Sequence, residues 1–402
     1  MIGNVWEWTN DWYEGDYYKS CADGVVDPTG PAQSELGARV LRGGGWGRQR
    51  RRSARLRSPA RDTLLTMINS GRNIVLMLVG VVMVAIGCEA KPLSWAEVLE
   101  QNPDPKVVTD VDFLKRITET KLPWRVKDKF TGMEMLLVPP GKFMMGASPS
   151  DEIALEVEKL LAEKFPQDKY SERPQHEVTI TKAFYLGRNE VTQEQWMMVM
   201  GENPSLFQQS NAKLLAEVYL SKPFVDWTGI KMTAEEAKAR AESAAKAVKF
   251  NPVEVISWDD CQKFCARTGM ILPTEAQWEY ACRAGVDKAT YGELDQIGWN
   301  FDNANLTTHS VGQKAPNALG FYDMIGNVFE WTNDCYEVDY YKSCEGGVVD
   351  PTGPAQSELG ARVRRGGGWV GYANLCRASS RNAHAPGNPS NNIGCRFARS
   401  TD

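Results

Sequence analysis

Apolar and polar positions alternate over short distances along most of this 402-residue chain, and long helical stripes are rare. One continuous apolar run stands apart: residues 74–87, after Arg72, carry no charge. Its 14 residues (87 − 74 + 1) suit the core of an export signal. They fall short of the roughly 18–20 that a membrane-spanning helix needs. MEMLLV and GKFMMG, on either side of a Pro-Pro turn, read as two short strands, and HEVTITKAFYLG as a strand pair. Helical spacing appears over residues 150–165, with Ile153, Val157, Leu160 and Leu161 on one face, and again over residues 192–200. Thr233 with Glu236, and Thr274 with Gln277, form boxes that open helices, and Ser257 is a further N-cap.

The pattern divides the chain. Residues 67–88 read as a signal peptide whose end, Ala85-Ile86-Gly87-Cys88, is a lipoprotein-type cleavage box with Cys88 as the lipidated residue. The Leu usual three positions before that cysteine is replaced by Ala85. Residues 89–121 are polar and Pro-containing, with a short helical patch near Trp95, and read as a tether. Residues 122–402 form the main domain. Within it, the Ala-rich second half of residues 207–250 reads as a solvated surface helix. Residues 320–399 are different again, crowded with glycines, tryptophans and arginines and almost without apolar runs. That is the script of a loop-rich fold, because glycine takes turns closed to other residues.

The front of the chain repeats its back. Residues 1–46 match residues 324–369 at 40 of 46 positions, at an offset of 323. The copy lacks the upstream blocks that its counterpart packs with, so independent folding is not expected. With the seven arginines that follow between Arg48 and Arg61, residues 1–66 read as a truncated duplicate and a basic remnant.

Composition adds limits. A net charge of −5 gives no reason to expect nucleic acid as partner. The histidines are His176, His309 and His384, too scattered for a zinc or iron site built from helical His pairs; His176 reads as a core hydrogen-bonder. Nine cysteines leave at least one thiol unpaired. Cys261 and Cys265, one helical turn apart, could hold a soft metal or enter disulfides.

The blocks VPPGKFMMG, RPQHEVTI, NEVTQEQW, NPVEVISWDDC and LPTEAQWEYACRAG precede GFYDMIGNVFEWTND, RVRRGGGW, LCRASSRN and NNIGCRFAR. In that order they resemble the formylglycine-generating enzyme family, also called sulfatase-modifying factor domains, and beside its shorter members residues 207–250 read as an insertion. The resemblance implies an α+β, irregular, loop-rich fold with a C-type-lectin-like core. It implies an oxidase that converts a sulfatase cysteine to formylglycine with oxygen and copper(I) held by two thiolates. It also implies calcium bound at a DMxGNxxE loop, here Asp323, Gly326, Val328 and Glu330, a second calcium beginning at Asn305 and Leu306, and a Cys265–Cys282 disulfide.

Carried across position by position, one thiolate falls on Cys376 and its partner on Gly371. The family's serine falls on Gly368 and its tryptophan on Phe329, with Trp331, Trp369 and Arg377 completing the groove. Glycine offers no ligand, and a single sulfur is a poor seat for copper(I). The expected function is therefore an exported, calcium-stabilised module, periplasmic or membrane-anchored, that binds a protein or small ligand. An oxidase with a variant site, acting on a sulfatase peptide, is the alternative. Arg377, Arg381 and Arg396 are expected to brace loops by capturing carbonyls.

Overall fold

The computed structural model describes residues 93–164, 171–246 and 249–401, and the backbone of two strands nearer the front. In chain order these two are β1 (Glu7–Trp12) and β2 (Arg39–Arg42). Then follow β3 (Ala96–Glu100), β4 (Arg125–Asp128), β5 (Glu134–Val138), β6 (Gly141–Met145), β7 (His176–Ile180) and β8 (Phe184–Gly187). The last six are β9 (Phe329–Cys335), β10 (Val348–Val349), β11 (Arg362–Arg365), β12 (Arg381–His384), β13 (Ile393–Cys395) and β14 (Ala398–Ser400). The chain forms two units, Met1–Val84 and Ala85–Asp402.

In the first unit, β1 and β2 pair antiparallel with Glu7 opposite Arg42, Trp8 opposite Leu41 and Trp12 opposite Arg39. Adding 323 gives Glu330–Arg365, Trp331–Arg364 and Cys335–Arg362, which are the pairs joining β9 to β11. The duplicate thus repeats its counterpart's register as well as its residues. The signal-type segment and Cys88 lie outside the described residues, among which no helix is long and apolar enough to cross a membrane.

The second unit holds three small sheets, ordered β14-β8-β5-β4-β3, β10-β7-β6 and β12-β11-β9-β13. The two sequence-predicted strand pairs near its start exist, but neither closes on itself. β5 pairs with β8 in one sheet, and β6 with β7 in another. Pro139 and Pro140 lie between β5 and β6, and proline cannot donate to a ladder, so the ribbon breaks there and changes sheet.

Residues 93–121 are not a tether. β3 pairs with β4 at the sheet edge, and the helix Val111–Glu119, capped by Asp110, buries Phe113 and Ile117. The Trp95 ring meets Tyr185 edge-on at 5.5 Å, so the apolar patch read as a local helix belongs to the core. In the helix Glu152–Lys164 Ala154 and Val157 are buried among the described residues, while Ile153 and Leu160 are exposed. Of the predicted face Val157 is thus buried, and Ala154 turns inward beside it. The boxes expected at Thr233 and Thr274 and the N-cap expected at Ser257 are present; Ser257 and Thr192 also complete boxes of their own, with Asp260 and Gln195.

The insertion is packed. Its entry is held by Glu254, whose buried carboxyl accepts from the amides of Leu206 (3.1 Å) and Phe207 (3.0 Å). Helices Ala212–Leu220 and Ala234–Ala244 bring Leu215, Tyr219, Ala237 and Ala241 against Leu306, Val328, Trp369 and Val370. One face of the Ala-rich helix is therefore buried rather than solvated. Alanine serves there because it lets two helices and a loop approach closely at no side-chain entropy cost.

Candidate functional site

Cys376 follows a short 3-10 turn, Ala373–Leu375, and is wholly buried. Glycines wrap its sulfur. A β-carbon on Gly367 (φ +81°) would stand 2.7 Å from Sγ, so this position must remain glycine, while one on Gly371 would stand 3.7 Å away. The resemblance therefore pairs two positions that are indeed neighbours, but the second offers only hydrogen. Burial pushes the Cys376 thiol up to about 12, against the opposing pull of the Gly368 amide and Arg377, so it is protonated at neutral pH.

The neighbouring positions are interior too. A β-carbon on Gly368 would stand 3.3 Å from Phe329 N and 3.4 Å from the carbonyls of Asn327 and Asn392, so the position is closely walled by backbone. Trp369 donates Nε1–H to Asn391 O (2.9 Å), and Trp331 to Ile256 O (3.1 Å). Phe329 and Trp331 are buried. Arg377 is a brace, not a groove residue: its guanidinium grips Glu172 with both Nη atoms (2.8 and 2.7 Å) and donates Nε–H to Asn374 O. Arg381 pairs with Glu275 (2.8 and 3.0 Å), and Arg396 with Glu330. These arginines do capture carbonyls, as expected, but each also holds a buried carboxylate. No local pattern signals the pairing, since Glu172 and Glu275 lie about a hundred residues or more from their partners.

The DMxGNxxE loop gathers negative charge. Asp323 is buried; its Oδ2 accepts from Gly312 N (2.6 Å), while Oδ1 has no hydrogen-bond partner among the described residues. Glu330 is already engaged by Arg396 and by Trp278 Nε1 (2.7 Å). Beside them Glu190 accepts from Val328 N (3.0 Å) and the Asn327 amide (2.6 Å). Burial, then repulsion from Asp323 and Glu330, holds the Glu190 carboxyl well above the usual range. Burial likewise pushes Asp323 up to about 6. Three carboxyls against one guanidinium, with an unpaired oxygen, suit a hard cation in part. Asp323 fits, whereas Glu330 is spent on the arginine. No three His, Cys, Asp or Glu side chains converge as a metal-sized group among the described residues, so a cation here also needs backbone oxygens. Glu190 was missed from sequence because nothing in NEVTQEQW distinguishes a buried glutamate from a surface one.

At the second expected calcium position the backbone carbonyls already take part in hydrogen bonds. Asn305 O accepts from Arg240 Nη1 (2.8 Å), and Leu306 O from the Tyr219 hydroxyl (2.8 Å). Both donors come from the insertion, so one lone pair of each carbonyl is engaged by the protein. The expected Cys265–Cys282 bridge is absent, both thiols being free. Cys265 lies near Cys261 and Cys395, whose thiols hydrogen-bond each other, whereas Cys282 Sγ points at Met324 O, 4.0 Å away. His176 behaves as expected, with Nδ1 3.0 Å from Pro174 O.

A cavity of about 770 Å³ opens between the helix Ala234–Ala244 and the loop 305–313. Its lining includes Lys231, Arg240 and His309.

Comparison with known proteins follows the same lines. The profile of the FGE-sulfatase family, described as a sulfatase-modifying factor enzyme 1-like domain, matches residues 1–70 and 122–401. The formylglycine-generating enzyme of Streptomyces coelicolor is 33% identical over 172 residues, covering 38% of this chain and 54% of that protein. A Chlamydia pneumoniae protein named serine/threonine-protein kinase pkn1 is 36% identical over 152 residues, 37% of this chain and 24% of that one. The chain thus spans about half the length of the first of these curated relatives and a quarter of the second. Among solved structures, PvdO from Pseudomonas aeruginosa superposes with a TM-score of 0.50 at 23% identity, covering 69% of this chain and 97% of PvdO. The fold is the irregular, loop-rich α+β architecture that the motifs imply.

Proposed function

We propose a recognition role without oxidase chemistry for this chain, which belongs to the sulfatase-modifying factor enzyme 1-like family. One observation carries the reading: the position facing the Cys376 sulfur is Gly371, so the two-sulfur seat that copper(I) requires is half missing. The remaining thiol is buried and protonated, which further disfavours soft-metal capture. These residues do not fit copper, and no step is routed through it. The family name alone does not argue for oxidation, since a relative bearing a kinase name carries a similar stretch.

In this reading one calcium ion sits at Asp323, aided by the carbonyls of Gly326 and Val328. The unpaired Asp323 Oδ1 and the surplus of buried carboxyls support it. Export, with Cys88 bearing lipid, completes the proposal, and the partner is a protein or small ligand. The test is incubation of the purified chain with copper and a Cys-x-Pro-x-Arg peptide, followed by mass spectrometry. The peptide is expected to stay intact, and conversion of its thiol to an aldehyde would overturn the reading. Palmitate labelling that leaves the chain bare would remove the lipid anchor from it.

A further inference from the structure

We propose that the cavity between the inserted helix and the loop 305–313 binds a small organic anion, with its acidic head on Lys231 and Arg240 and its apolar body on Ile230 and Met232. The inference rests on the recognition reading above and gives it a place and a ligand class.

The inserted helix is two-faced by design of its spacing. Ala237 and Ala241 turn into the core, while Glu236, Ala239, Arg240 and Ser243 turn to the cavity. Volume decides the size class. About 770 Å³ is in the range of sites that enclose metabolite-sized molecules, and far more than a bare inorganic anion fills.

Charge decides the sign. The wall carries Lys231 (+1), Arg240 (+1) and Glu236 (−1), a net of +1. Glu236 is already committed: its carboxylate accepts from Thr233 N (2.8 Å) as half of the capping box. Lys231 is exposed and has no ion-pair partner among the described residues. His309 adds no charge at neutral pH, because burial depresses its pKa, and its Nε2 lies 2.8 Å from Ala304 O. Its ring is stacked on Trp299 at 3.7 Å, which fixes that wall.

Arg240 is the anchor. Its Nη1 is held by Asn305 O at 2.8 Å, which sets the plane of the guanidinium and leaves its other donors for a second acceptor. A guanidinium oriented before binding loses less freedom when an acid pairs with it than a free lysine does. Ile230 and Met232 give an apolar floor on which a ring or short chain can lie.

The test uses the full chain with benzoate, phenyl phosphate and the neutral benzyl alcohol as probes, read by calorimetry and ligand-observed NMR. At least one of the two anions should bind, and which binds more tightly separates a carboxylate from a phosphate source. Benzyl alcohol should bind at least tenfold more weakly. Arg240→Gln should weaken the anion at least tenfold. Ala239→Trp, at an exposed lining position, should block the cavity without disturbing the fold, which an unchanged melting temperature verifies. Equal binding of benzyl alcohol, undiminished binding in Ala239→Trp, or binding of neither anion would overturn the proposal. Peptide oxidation measured on the same preparation reports separately on the recognition reading.

Discussion

A β-carbon on Gly371 would stand 3.7 Å from the sulfur of Cys376. The backbone at Gly371 lies outside the left-handed region, so an L side chain is admissible there. Its tightest neighbour would be Gly368 O at 3.2 Å, a crowding of a few tenths of an ångström. Under reducing conditions, Gly371→Cys should raise copper(I) affinity at least 100-fold in competition with a colorimetric chelator. Gly371→Ser, of like size but with a hard oxygen, should not. Equal affinities in the natural chain and both variants would break the link between this position and the metal.

Calcium and pH should be coupled through Asp323. Burial raises its carboxyl from 3.8 to about 6, so as pH rises the unfolded chain ionises first and the folded state loses stability. The loss is complete above pH 6 and amounts to roughly 3 kcal/mol. A cation at Oδ1 reverses the sign, because it favours the ionised form. A chelator should therefore lower the melting temperature at pH 7.5 and have little effect at pH 5. Asp323→Asn should abolish the chelator response while itself raising the stability of the calcium-free chain at pH 7.5. A chelator effect that persists in this variant would put the ion elsewhere.

What could be read from the sequence was local, and what could not was long-range. Thr233 and Thr274 announce their helices because a capping box is written in four consecutive residues. The neighbourhood of Cys376 and position 371 was legible through the family's motif order. The insertion's contacts were not: Arg240 and Asn305 are 65 residues apart, and no local pattern tells an arginine on an Ala-rich helix that it will occupy a carbonyl. The tether expectation failed for a similar reason. Ala96–Glu100 lacks clean alternation, and it becomes a strand because β4 offers it an edge.

Gly326 tests the same calcium loop from the backbone side. Its φ is +87°, and a β-carbon there would lie 2.4 Å from Trp299 O and 2.6 Å from Trp299 N. Backbone atoms cannot step aside as a flexible side chain can. Gly326→Ala should cost on the order of 3 kcal/mol or more, from the backbone strain and the overlap together. Gly371→Ala, with ordinary φ and looser contacts, should cost far less. Urea unfolding of the two variants checks the contrast, and near-equal losses would mean the loop yields more readily than its geometry implies.

Arg377 offers the sharpest choice between groove and brace. The groove expectation makes it a recognition residue, whose loss would weaken ligand binding in a chain of ordinary stability. The structure makes it half of a buried pair with Glu172, tied also to Ser379 Oγ (2.9 Å) and Asn374 O. Removing the guanidinium would strand the Glu172 carboxylate in the interior, which costs roughly 3–5 kcal/mol. Arg377→Met should therefore lower the urea midpoint sharply, whereas Arg377→Met combined with Glu172→Gln should recover part of the loss, because no unpaired charge is then left inside. A groove residue predicts no such recovery, since Glu172 would have nothing to do with the ligand. Measuring the two variants side by side decides the matter: partial rescue by the second substitution is the signature of a brace, and additive losses would return Arg377 to the list of recognition residues.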